Sequence, residues 1–512
     1  MVTPGTNLDV QSLEASKNNY LMCIAYTSDG IGISAADVTT GDYYVTEVED
    51  LRKLKDELMK YEPSEIICNE AFLVSGYDVE DLKSRLHMSV SSLESHMFDD
   101  DGCRRILMRH FKVNTLIGLG VEEFPTGILA AGALLQYLYD TQKTDLEHFT
   151  HIFPYLTSKY MLLDSSTRRN LELTETLREK QKRGSLLWVL DKTKTAMGGR
   201  LLRNYIEQPL IDKEEMEKRL DAIQELNQDS ISRDEIREYL NPVYDLERLL
   251  SKVTYKTANP RDLIAFRNSL QMLPPIKTVL AGFQKEELAA IREEIDGLED
   301  IYQLIDEAIV EEPPISIREG GMIKDQFDET IDHLRAAKHD GKQWLVQLEE
   351  EDRERTGIKN LKIKKNNVFG YFFEVTNSYK DLVPEDYIRK QTLANAERYT
   401  TPRLKELEDT ILNAEDKLQT LEYDIFCRIR DTIAQELVRI QNTAKALAKL
   451  DVYASLSLVS ERNHYVRPKL NEKGVIDIKD GRHPVVEQMI TNDMFIANDT
   501  YLDNGSHCIS II

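Results

Sequence analysis

Long apolar runs are absent from this sequence of 512 residues. A helix that crosses a bilayer needs about 18 or more consecutive apolar residues, and no such stretch occurs. Residues 1–6 contain neither a basic region nor an apolar run, so we expect no secretory signal peptide. With 15 prolines and 23 glycines, the composition excludes a fibrous or disordered chain. The length predicts several domains, because single hydrophobic cores rarely exceed about 250–300 residues.

Cysteine is also scarce, and the spacing of the cysteines argues against a zinc-binding protein and against a disulfide-rich protein. The cysteines form no C-x-x-C pair and are too far apart to indicate a zinc site or a disulfide framework. Free thiols are typical of proteins in a reducing cytosol. The five cysteines are Cys23, Cys68, Cys103, Cys427 and Cys508.

Positive charge is in deficit. The chain has 65 lysine and arginine residues against 89 aspartate and glutamate residues, a formal net charge of −24. This balance opposes loose, nonspecific binding to nucleic acid or anionic lipid. Charges are screened beyond a Debye length of about 8 Å, so a local basic surface is compatible with the total. Whether the chain has a basic surface that can bind nucleic acid therefore depends on how its charges are distributed along the sequence.

A small α/β domain is predicted near the N-terminal end. Strand-like segments alternate with turn residues, and a helix over residues 51–61 precedes a short strand at residues 65–68. The order strand, strand, strand, helix, strand predicts an α/β domain that ends near Asp140. The three strand-like segments are residues 20–26, 30–38 and 41–48.

Two long helices are predicted after a largely helical stretch. The first covers residues 327–355, with apolar spacing interrupted at Lys338 and Gly341, and Gly357 ends it. The second covers residues 403–447 and would be about 67 Å long as a single helix. A rod of that length requires a partner, so we expect the two helices to pair antiparallel. Heptad spacing in the second is carried by Leu404, Leu407, Ile411, Ala414, Leu418, Leu421 and Ile425.

The segment between these helices is basic. Residues 359–405 contain ten basic and five acidic side chains, a net +5 within a chain of −24. The alternation of residues 361–364 places Lys362 and Lys364 on one strand face. A hairpin turn is predicted at Asn366-Asn367, with residues 368–375 as the returning strand. The pattern alone leaves two interpretations open: lysines that hold a phosphate backbone, or solvated lysines that protect a strand edge.

Short segments spread along the chain are similar to signature sequences of one bacterial family, and they occur in the family's order. On these segments the chain resembles the MutS family of DNA mismatch repair proteins. They are GSLL at 184–187, LDKTKTAMGGR at 190–200, EQPL at 207–210, RERTG at 353–357, QTL at 391–393, NAERY at 395–399, GRHPVVE at 481–487 and FIAN at 495–498.

The resemblance implies a multidomain, mainly α fold. The expected parts are a linker (1–15), an RNase H-like α/β connector (16–140), a helical core with lever helices (141–320 and 416–468), a small β-containing clamp with its flanking lever helices (321–415), and the beginning of an α/β ATPase domain (469–512).

The resemblance also implies partners and contact residues. The family's clamp holds double-stranded DNA by its backbone, and family members form homodimers and recruit the repair factor MutL. The implied location is the bacterial cytoplasm, in association with the nucleoid and not with a membrane. The best candidates for contact with DNA phosphates are Lys362, Lys364, Lys365, Arg389, Lys390 and Arg398.

ATP and Mg²⁺ are cofactors of the full-length family. A Walker A loop supplies the backbone amides, the lysine and the hydroxyl that hold them, and no G-x-x-x-x-G-K-[ST] motif occurs in this sequence, which ends after a predicted strand at residues 509–512. We therefore expect a truncated member that also lacks the mismatch-recognition domain, binds no cofactor and has no ATPase activity alone. Phe495 matches a family position that stacks on adenine, and core packing is an equal interpretation.

Two other functions are compatible with the sequence pattern. An RNase H-like domain can be a metal-dependent nuclease, and Asp37 with Glu70 would be its first candidate ligands. The heptad seam could instead join separate chains, which would make the protein a non-enzymatic coiled-coil tether. No catalytic residue and no metal ligand is assigned.

Overall fold

The computed structural model describes residues 2–9, 12–84, 86–366, 370–490 and 493–510. Helices make up about half of the chain, and the strands of the described residues form three sheets. The chain divides into two units. The first contains Met1–Ala258, Ala265–Glu299 and Ile433–Ile512, and the second contains Asn259–Ile264 and Asp300–Thr432.

The N-terminal sheet has the predicted order of elements. Its first three strands are antiparallel neighbours, and the strand after the first helix pairs parallel with the first strand. Two short strands extend the edges, giving the order β5-β4-β1-β2-β3-β6. The strands are β1 (Leu21–Tyr26), β2 (Ile31–Asp37), β3 (Asp42–Val48), β4 (Glu65–Cys68), β5 (Ser89–Ser92) and β6 (Phe153–Pro154).

Helices cover both faces of this sheet. They are α1 (Leu51–Tyr61), α2 (Glu70–Leu73), α3 (Val79–Ser84), α4 (Asp100–His110) and α5 (Pro125–Gln142). Leu21 and Cys23 pack with residues of α4 and α5, whereas Met22 and Ile24 pack with residues of α1 on the opposite face. Because successive side chains of a strand point to opposite faces, a strand covered on both sides is apolar throughout.

His148 is buried in the same core, between the rings of Phe149 and Tyr255. Burial lowers its pKa to about 3. In the unfolded chain the pKa of this histidine has its ordinary value of about 6.5. Below that pH the unfolded chain binds a proton at His148 and the folded chain does not, so the free energy of unfolding decreases as the pH falls.

Replacing His148 by glutamine should therefore weaken the pH dependence of stability. Between about pH 7.5 and about pH 5, the wild-type chain should lose about 2 kcal/mol more unfolding free energy than His148→Gln. Urea unfolding of both proteins at the two pH values measures this difference. Equal losses in the two proteins would show that His148 is not the group that titrates.

The next helices along the chain lie between residues 165 and 308. Their ranges are α6 (Ser165–Asn170), α7 (Leu186–Leu190), α8 (Ala196–Glu207), α9 (Lys213–Gln228), α10 (Ser230–Leu240), α11 (Leu246–Thr254), α12 (Pro260–Leu270), α13 (Leu273–Leu280), α14 (Glu286–Glu294) and α15 (Glu299–Ala308).

The start of α8 is fixed by a buried carboxylate on α18 (Leu437–Arg462). Asp451 accepts hydrogen bonds from the backbone N–H groups of Lys194 (2.9 Å) and Thr195 (2.7 Å) and from the Thr195 hydroxyl (2.8 Å). A Cβ on Gly198 would lie 2.4 Å from Asp451 Oδ2, so only glycine permits this approach. The motif at residues 190–200 therefore joins two helices of the first unit.

The two long helices are α16 (Glu329–Thr356) and α17 (Pro402–Gln435), which lie in the second unit up to Thr432, and they are antiparallel. Residue numbers rise along α16 as they fall along α17, as three ion pairs between the helices show. The pairs are Arg335 with Glu422, Lys338 with Glu415, and Glu351 with Arg403. At Gly341, where the apolar pattern is interrupted, α16 approaches α17 closely, because a Cβ on Gly341 would lie 2.6 Å from the Ile411 side chain. As expected, Gly357 ends α16, in the left-handed conformation at φ 69°.

The single rod predicted over residues 403–447 is wrong. α17 ends at Gln435 after 34 residues, about 51 Å, and α18 begins at Leu437. The Glu436 N–H bonds to the carbonyl oxygen of Ile433, three residues back, which tightens the last turn and ends the helix. The apolar residues Ile425, Ile429, Ile433 and Leu437 are spaced by four instead of alternating three and four, so the break follows a change of spacing that begins at Ile425.

The C-terminal region forms a small two-stranded sheet. β11 (Ile476–Gly481) and β12 (Asn498–Leu502) pair antiparallel, and α19 (Val486–Met489) lies between them in sequence. In the predicted strand at residues 509–512, Ile511 and Ile512 lie outside the described residues. Among helices of the described ranges, none combines the length and apolarity needed to cross a bilayer.

Candidate nucleic-acid interface

A four-stranded sheet connects the ends of α16 and α17. Its order is β7-β8-β10-β9, and every neighbouring pair is antiparallel. Of the predicted hairpin turn, Asn366 ends the first strand and Asn367 lies outside the described residues, as do Val368 and Phe369 of the predicted returning strand. The strands are β7 (Lys362–Asn366), β8 (Gly370–Thr376), β9 (Ile388–Thr392) and β10 (Ala396–Thr400).

One face of this sheet packs on the paired helices. Phe373, Val375 and Tyr399 share a buried apolar cluster with side chains of both helices. The helical members are Leu345 and Leu348 of α16 and Leu404 and Ile411 of α17. The helices therefore hold the sheet by one face, and the side chains that alternate with this set occupy the other face.

The other face, called the outer face below, carries three of the six candidate cations. Its residues are Lys362, Lys364, Phe372, Glu374, Gln391 and Arg398. The register places Lys362 opposite Glu374, Glu374 opposite Arg398, and Arg398 opposite Gln391. Directly opposed residues of an antiparallel sheet share a face, so the prediction that Lys362 and Lys364 lie on one face is confirmed.

Glu374 is at the centre of this row. The Lys364 ammonium donates to Glu374 Oε1 at 2.7 Å, and Arg398 Nε lies 3.9 Å from Glu374 Oε2. Arg398 also donates to Gln391 Oε1 at 2.7 Å, and its guanidinium carbon lies 4.4 Å from the centre of the Phe372 ring. The outer face thus combines three cations with one carboxylate.

The other three candidates are held by different carboxylates. Lys365 lies 3.3 Å from Glu415 and Lys390 lies 3.9 Å from Glu408, both acids being on α17. Arg389 lies 3.6 Å from Glu397, a buried residue whose Oε1 also lies 2.6 Å from the Lys380 ammonium.

The pKa directions agree with these pairs. The hydrogen bond from Lys380 lowers the pKa of Glu397. The hydrogen bond from Lys338 lowers the pKa of Glu415, with a further contribution from Lys365. Both carboxylates are therefore ionised at neutral pH.

The acidic partners on α17 are the part of the site that counting charges missed. Glu408 and Glu415 lie beyond residue 405, so the +5 of the basic segment overstates the positive charge around the sheet. The sequence does carry a signal for these two acids: Glu408 and Glu415 are seven residues apart on a predicted helix, so they share one face of it. The cations still reach solvent: the side chains of Lys364 and Arg389 are 51% and 60% exposed.

The nuclease alternative has no support in the structure. Asp37 is buried, and its carboxylate accepts hydrogen bonds from Asn18, the Asn19 backbone and Thr39. Glu70 is exposed at the start of α2. Within the described ranges, no group of three His, Cys, Asp or Glu side chains is placed to hold a metal ion.

The tether alternative fares no better, because the heptad seam is used within the chain. Leu404 and Ile411 belong to the cluster under the sheet, and Ala414, Leu418 and Ile425 are also buried. Phe495, the adenine-stacking candidate, is half-buried between the exposed residues Met494 and Ile496.

Comparison with known proteins identifies the family. The family model for MutS domain III matches residues 166–457, and the model for MutS domain II matches residues 19–150. The chain therefore belongs to the MutS family.

Curated relatives named DNA mismatch repair protein MutS align along the whole chain. The protein from Lachnoclostridium phytofermentans is 62% identical over 100% of this chain and 55% of its own length. Those from Ruminiclostridium cellulolyticum and Acetivibrio thermocellus are 49% and 47% identical, each over 100% of this chain and 59% of the relative. The chain thus spans somewhat more than half the length of these relatives.

Proposed function

We propose that this chain serves DNA mismatch repair by holding duplex DNA through its sugar–phosphate backbone, with the sheet β7–β10 as a clamp. One observation carries the proposal: solvent-exposed lysines and arginines are gathered on a sheet at the end of two paired helices, in a chain whose net charge is −24. Lysines act on phosphates as point charges and need no base edge. Backbone contact is therefore the chemistry that these side chains suit best.

The candidates for phosphate contact remain Lys362, Lys364, Lys365, Arg389, Lys390 and Arg398. The three on the outer face are favoured, because the strand register places them on one face of the sheet. The other three lie close to carboxylates of α17 or to the buried Glu397. They would add to the electrostatic attraction more than to direct contact.

The other regions take the roles that the family suggests. The N-terminal sheet, with its antiparallel meander and helical crossover to parallel strands, supports an RNase H-like connector. The helical bulk would be the core with its levers. ATP with Mg²⁺, homodimer formation, MutL recruitment and adenine stacking by Phe495 belong to the proposal for the whole protein.

Salt dependence tests the clamp. If the sheet contacts about four to six phosphates, log K for a duplex should fall with log salt at a slope of about −4 to −5. Affinity would then drop by about 250- to 1000-fold between about 50 and 200 mM salt. Fluorescence anisotropy with a labelled duplex of about 30 base pairs measures the slope. A slope shallower than about −1, or no binding at the lowest salt, would contradict the proposal.

A further inference from the structure

We propose that Glu374 competes with DNA phosphate for the cations of the outer face and so limits how tightly the clamp binds any duplex. This inference rests on the proposed function and names the residue that tunes it. Glu374 would be a positioning residue, because it acts on the cations rather than on the DNA.

The geometry of the row places the carboxylate where a phosphate would bind. Glu374 lies directly opposite both Lys362 and Arg398 in the strand register, and its two oxygens lie 2.7 Å from Lys364 and 3.9 Å from Arg398. Carboxylate and phosphate are both anionic oxygen acceptors for ammonium and guanidinium groups. A phosphate that approaches these cations meets an acceptor already in place.

The pairing is weak enough to be exchanged. The side chains of Lys364 and Glu374 are 51% and 23% exposed, and an exposed ion pair changes an equilibrium by about fivefold at most. Glu397 differs, because its side chain is 2% exposed, accepts a hydrogen bond from the Tyr399 hydroxyl and forms an ion pair with Lys380. Glu374 can therefore release its cations to DNA, whereas Glu397 stays bound as part of the sheet.

The charge on the outer face follows from this arrangement. Lys362, Lys364 and Arg398 carry three positive charges, and Glu374 removes one of them. Every phosphate contact on this face must first displace the carboxylate or tolerate its negative charge. The result is a lower affinity for all duplexes, whatever their sequence, since no base edge is involved.

Replacing Glu374 by glutamine keeps the shape of the side chain and removes its charge. The affinity of Glu374→Gln for a fully paired duplex should rise by about fivefold at low salt. Anisotropy titrations of wild type and variant measure the change. Glu350→Gln is the matched control, because Glu350 is an exposed acid of α16 and its replacement changes the net charge equally. The control should change affinity by less than about twofold.

A second background separates charge competition from a structural effect. In a protein with Lys364→Gln and Arg398→Gln, the further change Glu374→Gln should give a gain of less than about twofold, because the two cations that lie nearest the carboxylate are gone and only Lys362 remains opposite it. Glu374→Ala should reproduce the gain in the wild-type background if charge and not shape is responsible. Circular dichroism spectra confirm that each variant is folded.

The outcomes separate the two proposals. A gain that needs Lys364 and Arg398 supports the competition. If Lys364→Gln with Arg398→Gln weakens binding but neither Glu374 variant strengthens it, the competition is overturned and the clamp stands. A gain of about fivefold that persists without the two cations also overturns it. If wild-type protein binds no duplex, or loses nothing when the cations are removed, the clamp itself is overturned.

Discussion

Replacing Gly32 by alanine should destabilise the N-terminal α/β region by at least about 3 kcal/mol. A Cβ on Gly32 would lie 1.9 Å from the carbonyl oxygen of Thr126 and 2.7 Å from the backbone nitrogen of Gly127, in the first turn of α5. Both are backbone atoms, so no side-chain rotation relieves the clash. The helix must move off the sheet, and the core between them opens.

Hydrogen–deuterium exchange of peptides from β1 to β3, with urea unfolding of the whole chain, measures the effect of Gly32→Ala. Gly118→Ala is the control in the same region, because a Cβ there meets nothing within 4 Å. The control should stay within about 0.5 kcal/mol of wild type. Equal protection in the Gly32→Ala and wild-type peptides would contradict the close packing of α5 on β2.

Strands and their faces were predictable where local chemistry decides them. The N-terminal strands are bounded by turn residues, and the predicted helix at residues 51–61 and strand at residues 65–68 match the observed ones to the residue. Lys362 and Lys364 share a face because the period of a strand is two. These features depend only on neighbours in the chain.

Features set by partners distant in sequence were not predictable. The clash that makes Gly32 necessary involves Thr126, and the approach that makes Gly198 necessary involves Asp451. The end of α17 at Gln435 also escaped the heptad analysis, which continued the rod to residue 447. The spacing of apolar residues shows which side chains are buried, but it does not show where the backbone hydrogen bonding of a helix is interrupted.

The sequence predicted the cations of the candidate site but not the position of its carboxylates. Counting charges located the basic segment but could not show that Glu374 sits between Lys364 and Arg398. That position depends on strand register, which a single sequence leaves open. The competition proposed for Glu374 therefore emerges only from the folded sheet.

Reversing the charges at Lys364 and Lys365 should weaken duplex binding by about a hundredfold at low salt. Both lysines are on β7, and their side chains are 51% and 42% exposed, so glutamates there would repel phosphates as well as remove two attractions. Because lysines on a backbone do not read bases, fully paired and mismatched duplexes should lose the same factor. Lys55→Glu with Lys473→Glu changes the net charge equally at exposed sites outside the second unit and should have little effect.

The decisive measurement is a pair of anisotropy titrations, with two duplexes that differ by one mispair, for wild type, the Lys364→Glu/Lys365→Glu variant and the Lys55→Glu/Lys473→Glu control. A backbone clamp predicts that the variant loses the same large factor on both duplexes while the control loses almost nothing. Loss confined to the mismatched duplex, or no loss at all, would contradict a clamp that holds DNA by its phosphates.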